Sequence, residues 1–154
     1  SEVAAADMKF LKKTGSGEFS YELVFSKTNQ SGVDRPENHK PVLGAAGAAL
    51  EDWLSVSRIR EGALFRRVLK GGHLGGPLSA AAVRDIVQVR CLLAGVEGKF
   101  SAHSLRSGFV TEAAAQNVSI ADTMAMTGHQ SVAVVLGYQR RGGLSNTPAS
   151  KLLA

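Results

Sequence analysis

The chain has 154 residues, 18 Lys and Arg against 13 Asp and Glu, 44% apolar residues, 6% aromatics and a single cysteine, so one domain with its own core is the default. One cysteine cannot form an internal disulfide, and Cys91 is expected to be a buried small hydrophobe in a reducing compartment. No run approaches the roughly 18 apolar residues of a membrane helix and no charged-then-apolar leader opens the chain, a reading that excludes membrane insertion and secretion and points to the cytoplasm.

The first forty residues read as a small antiparallel sheet. Met8 to Lys12 is a short strand, Thr14 to Gly17 a turn cluster, and Phe19 to Ser26 alternates so that Phe19, Tyr21, Leu23 and Phe25 share one face. A polar loop, Thr28 to Asn38, precedes a third strand, His39 to Leu43, on an edge because Pro41 cannot donate to a ladder. Helices follow. Ala45 to Val56 carries Leu50, Trp53 and Leu54, and Leu64 to Leu69 is a short extended piece before the glycine-rich stretch Gly71 to Pro77. Ser79 caps a helix to about Ala94, with Val83, Ile86, Val87, Arg90 and Leu93 on one stripe and Gly95 as its stop. Ser101 or Ser104 caps the next, which carries Phe109, Val110, Ala113 and Ala114 inward and ends near Asn117. Ser119 to Asp122 has capping-box spacing for a helix closing at Gly128, and Ser131 to Leu136 is a short helix bounded by Gly137. Residues 139–154 form a polar run and a last short helix, with Pro148 in its first turn. The fold class is α+β, mostly α: one helical domain over 1–154 with a three-stranded antiparallel sheet near its N-terminus.

Charge is uneven. Residues 1–54 carry 6 basic and 8 acidic groups, net −2, whereas residues 55–154 carry 12 and 5, net +7. The second part suits a polyanion, although scattered surface Lys and Arg alone would not show one. The glycine-rich stretch lacks the Gly-Lys-Ser/Thr ending of a phosphate loop and any βαβ context, which leaves it a flexible connection. His39, His73, His103 and His129 are too scattered for close ligand spacing, so no metal is expected.

The chemistry-bearing residues lie in the helical part. His103 and Arg106, three apart, project from one face of a helix's first turn, where free N–H groups favour an anion. His129 follows another helix end, and Tyr138 comes nine residues later, beyond a short helix. Taken singly, each has a plain structural explanation: a solvated first turn, a histidine satisfying a helix end, an amphipathic tyrosine. Their order is harder to set aside.

That order resembles the tyrosine site-specific recombinases, or phage-type integrases. The match is to a His-x-x-Arg box (His103, Arg106), a Gly-His box 23 residues after that arginine (Gly128, His129), and the tyrosine Tyr138. Upstream, Ser26 to Gln30 is similar to the family's β-hairpin lysine segment, with Lys27. Ser1, Glu2 and Val3 with Asp7 resemble the tail of its first arginine box, with Glu2 in a supporting place and the arginine three residues before it. The chain begins with Ser rather than Met and reads as a fragment of the C-terminal catalytic domain, truncated just after that arginine and itself poorly active, without the family's separate N-terminal DNA-binding domain. The resemblance implies strand cleavage and rejoining of double-stranded DNA through a 3′-phosphotyrosyl intermediate, without metal or nucleotide cofactor, by a homotetramer on two DNA sites when full length.

Chemistry accords with that implication. In-line attack on a phosphodiester needs a nucleophile, donors around the non-bridging oxygens and an acid for the departing alkoxide. Tyr138 supplies the nucleophile and Arg106 a planar fork for two phosphate oxygens. His129 supplies a donor to a non-bridging oxygen and His103 a proton acceptor or orienter, while which histidine takes the phenol's proton stays open. If the period-two pattern after Phe25 continues one step, Lys27 lies on the apolar face, and the resemblance makes it the acid for the 5′ oxygen. Arg84, Arg90, Arg140 and Arg141 are candidate DNA contacts. The alternatives are a non-cleaving DNA-binding fragment or degenerate integrase, a type IB topoisomerase with the same chemistry, and a purely structural domain.

Overall fold

The computed structural model describes residues 2–24, 38–98 and 100–139. They divide after Val83 into two compact units. The expected fold class holds, with a two-stranded hairpin added to the expected sheet.

In the first unit, Asp7 changes the start of the sheet. Its carboxylate accepts from the Lys9 N–H at 3.0 Å and bends Met8–Phe10 into a 3₁₀ turn, so the strand expected over residues 8–12 begins later, as β1 (Leu11–Gly15). β1 pairs antiparallel with β2 (Glu18–Glu22) across a two-residue turn whose Gly17 has φ +63°. β2 pairs with β3 (His39–Val42), whose Pro41 sits opposite Ser20 on an edge strand as expected. β2 is shorter than the strand expected to Ser26; Phe25, Ser26, the Thr28 to Glu37 part of the expected loop and the helix expected near the C-terminus lie outside the described residues.

Helix α1 (Gly44–Ser57) packs on β2 through Gly47 and Leu50. A Cβ at Gly47 would lie 1.9 Å from the Gly17 carbonyl oxygen, so a residue without a side chain is what lets the helix approach the hairpin turn. The core joins Ala6, Phe19, Leu50 and Leu64, with Tyr21 and Trp53 packed against it. The two polar tips are satisfied: the Tyr21 hydroxyl accepts from the Asp7 N–H at 3.1 Å, and Trp53 Nε1 donates to the Leu64 carbonyl at 2.9 Å. Burial pushes the Tyr21 phenol above its ordinary pKa, as core placement requires.

The glycine-rich stretch is not merely a flexible connection. β4 (Arg66–Val68) and β5 (Leu74–Pro77) form an antiparallel hairpin, and Gly71 and Gly72, at φ +85° and +82°, make its turn. Composition argued for looseness, whereas the ladder absorbs the backbone groups of residues 74–77.

The boundary between units falls within α2 (Ala80–Leu93), where Ser79 Oγ accepts from the Ala82 N–H as a cap. The expected apolar stripe is a correction: Val83 is buried, but Ile86 is 47% and Leu93 73% exposed. Cys91 is half-buried rather than buried, and it is a free thiol. In the second unit α3 (Ala102–Ala115) packs on α4 (Ile120–Thr127) and α5 (Val132–Gln139), and α4 packs on α5. Val110, Ala113, Thr123 and Val135 are its buried residues, while Phe109, expected inward, is 45% exposed. α5 runs through Gly137 instead of stopping at it, because that glycine keeps a helical backbone, unlike the left-handed Gly128. Tyr138 is therefore carried by the helix rather than by a segment after it. No helix of the described residues is long and apolar enough to cross a membrane.

Candidate active site

Two helix caps set the positions of the site. Ser101 caps α3 by accepting from the Ser104 N–H, and Ser104 Oγ accepts from the Ser101 N–H in return, which places His103 and Arg106 in the first turns. Ser119 caps α4 at its start, and Gly128, at φ +68°, turns the chain sharply at its end so that His129 leaves the helix at once.

Arg106 is half-buried and donates from Nη2 to the Thr127 carbonyl, one of the last oxygens of α4. A cation there meets the negative end of the helix dipole. Its Nε is buried and has no hydrogen-bond partner among the described residues. An unpaired buried donor of this kind costs about 1 to 3 kcal/mol, more where the group is charged, and an incoming anion would remove that cost. His129 Nδ1 lies 2.7 Å from the Thr127 hydroxyl. Burial, with Arg106 and His103 adding positive potential, holds the His129 pKa below its ordinary 6.5.

Tyr138 joins this group from α5. Its hydroxyl lies 3.5 Å from His103 Nε2, and its ring centroid is 6.2 Å from that of His129, tilted by 54°. The phenol–imidazole separation is long for a formed hydrogen bond, as is common in catalytic sites without substrate. His103, Arg106, His129 and Tyr138, separated by up to 35 residues, thus meet within one unit. A cation, two imidazoles and a phenol come together around a buried donor that has no partner among the described residues, an arrangement chemically suited to an anion beside a phenol oxygen.

A family model matches here: the phage integrase family, over residues 22–142. The chain belongs to the phage integrase family. It is 36% identical over 98 residues to an integrase/recombinase XerD homolog of Selenomonas ruminantium, covering 62% of this chain and 29% of that protein. Its fold is similar to a crystal structure of the XerH site-specific recombinase bound to difH substrate, a pre-cleavage complex, with a TM-score of 0.62, 18% identity, and 99% of this chain against 40% of that one. The chain therefore spans less than half the length of either.

Of the other expected site residues, Glu2, Arg84 and Arg90 lie among the described residues. Glu2 is exposed in the turn that opens the first unit, where its carbonyl accepts from the Ala5 N–H. Lys27, Arg140 and Arg141 lie outside the described residues. Arg84 and Arg90 are exposed on α2, and Arg84 pairs with the adjacent Asp85 at 3.1 Å, which offsets part of its charge. No group of three or more His, Cys, Asp or Glu residues suited to a metal occurs among the described residues. Sequence reasoning missed Thr127, whose carbonyl holds Arg106 and whose hydroxyl meets His129. The visible signal was a threonine at the last helical position, directly before the Gly-His pair, with Thr123 one turn earlier.

Proposed function

We propose that the chain supplies the catalytic domain, residues 1–154, of an enzyme that cuts and rejoins double-stranded DNA at specific sites through a 3′-phosphotyrosyl intermediate. The observation that carries this reading is the meeting of Tyr138 and His103 beside the unpaired Arg106 Nε. Family membership and the likeness to a recombinase solved with its DNA substrate support it.

In this mechanism Tyr138 Oη attacks the scissile phosphorus, the phosphorus–tyrosine bond forms, and the bond to the 5′ oxygen breaks. His103 Nε2, the nearer imidazole, takes the phenol's proton. Arg106 holds non-bridging oxygens through Nε and the rest of its fork, and His129 contacts another. The departing 5′ oxygen takes a proton from Lys27, the role that the resemblance gives it. Energy of the cut bond is kept in the protein link, so rejoining needs no nucleotide. Exchange between two duplexes requires four strand cuts and hence four such tyrosines, which a homotetramer on two sites would provide. Arg84, Arg90, Arg140 and Arg141 would contact backbone phosphates outside the reacting one, and Glu2 would support the first arginine box. The place of action is the cytoplasm.

The test is covalent capture on a nicked trapping duplex. Tyr138→Phe is expected to abolish the protein–DNA link while duplex affinity stays within about twofold, since a phenyl ring keeps the packing and removes only the nucleophile. Capture that persists in Tyr138→Phe overturns the assignment, and binding without capture in an otherwise unaltered chain that carries the first arginine box favours the non-cleaving reading.

A further inference from the structure

Thr127 uses both its carbonyl and its hydroxyl at the end of α4. Its carbonyl accepts from Arg106, its hydroxyl lies 2.7 Å from the Thr123 carbonyl, and the same hydroxyl lies 2.7 Å from His129 Nδ1. A hydroxyl has one hydrogen and a carbonyl oxygen none, so the short contact to Thr123 is attractive only if the Thr127 hydrogen points there. The hydroxyl then faces His129 with a lone pair. Nδ1 must carry the hydrogen of that contact, which leaves neutral His129 with a lone pair on Nε2. Thr123 is 1% exposed and holds its own hydroxyl on the Ser119 carbonyl at 2.9 Å, so the anchor is fixed within the packed face of α4.

We infer that Thr127 is a positioning residue that sets the tautomer of His129 and so makes the contact of His129 with a bound phosphate depend on the uptake of one proton. The phosphate in this statement rests on the function proposed above; the tautomer rests on hydrogen-bond geometry alone. A lone pair on Nε2 repels a phosphate oxygen, whereas the same nitrogen once protonated becomes a charge-assisted donor. The groups that act on this imidazole are Arg106 and His103 from α3 and the Tyr138 ring from α5. Burial, and then the positive potential from Arg106 and His103, favour the neutral form when no anion is present, and an anion bound beside them reverses that balance. In this step one proton moves from hydronium to Nε2 for each phosphate engaged, forming an N–H bond and leaving water; no phosphorus–oxygen bond is made or broken.

Nitrogen-15 NMR of the histidine rings in the 154-residue chain reads the tautomer directly, at a pH well above the His129 pKa. The unaltered protein is expected to show Nδ1–H, Thr127→Val to shift His129 toward Nε2–H while keeping the carbonyl that Arg106 uses, and Thr127→Ser to restore the original form. Affinity for a nicked duplex, measured at constant salt, is then expected to fall by up to about tenfold per pH unit above the His129 pKa, with a flatter slope in Thr127→Val, where Nε2 donates without protonation. An Nε2–H signal in the unaltered protein overturns the inference, as does an unchanged tautomer in Thr127→Val. If Thr127→Val fails to fold, Thr127→Ala removes the same hydroxyl, and the same shift toward Nε2–H is expected there. A shifted tautomer with equal pH slopes overturns the link to phosphate. Failure of covalent capture by Tyr138 in a chain that carries the first arginine box, with the tautomers as stated, would instead sink the recombinase reading and leave the role of Thr127 standing.

Discussion

The unit before Val83 and the unit after it use different physics. In the first, large side chains from a sheet and a helix close on one another: Phe19 and Leu64 are each 3% exposed, and Trp53 and Tyr21 bring polar tips that find backbone partners. In the second, the buried residues are small or medium-sized, Val110, Ala113, Val135 and Thr123, and much of the specific geometry comes from helix ends. Ser101 and Ser119 cap α3 and α4, Gly128 turns the chain out of α4, and Thr127 gathers Arg106 and His129. Apolar burial is non-directional and tolerates many residue choices, whereas hydrogen bonds at helix ends aim side chains. The proposed placing of a phosphate between two imidazoles and a guanidinium would need the second kind of order.

Substitutions can break that contrast. The largest stability effect is expected in the first unit: Phe19→Ala should cost about 3 to 5 kcal/mol in urea unfolding, and a loss below about 1 kcal/mol would show that the sheet's apolar face is not a packed core. Next is Arg106→Lys, which keeps the charge but loses the fork. Strand cleavage should fall on the order of 10² to 10³, with far less effect on duplex affinity, and equal losses in both would make Arg106 a general electrostatic contact. Ser119→Ala removes the start cap of α4 and is expected to cost about 1 kcal/mol; a neutral result would mean that packing alone holds the helix presenting His129.

The smallest effect is one of pH. Because the folded-state pKa of His129 lies below 6.5, the unfolded chain binds more protons than the folded one between the two values. Stability contributed through this group is therefore complete above 6.5, is lost as pH falls from there to the folded pKa, and changes no further below it. The loss should be slight, since the ring is largely solvent-screened, and His129→Gln should remove it from a pH series of urea midpoints. Stability that rises through this window on acidification would reverse the assigned sign.

Local chemistry was legible in the residues alone. The caps Ser79 and Ser119, the choice of Ser101 or Ser104 for α3, the stop at Gly128, the edge strand marked by Pro41 and the order of the His-x-x-Arg, Gly-His and Tyr boxes rest on short spacings or on single residues with few allowed conformations. These preferences act within a turn or two of chain, so the residues there suffice to set them. Other features depend on partners far along the chain and emerge only on folding. A glycine-rich run became a strand because β4 lies beside it; Gly137 stayed helical, so that α5 rather than a following segment carries Tyr138; Ile86 and Leu93 stayed exposed despite their helical period. Thr127 belongs with these, for nothing in its spacing says that a guanidinium from 21 residues upstream will take its carbonyl and fix it between Arg106 and His129. A pattern of residue types states which faces and ends a segment offers; which other group arrives there is set by packing between segments, and no local period encodes it.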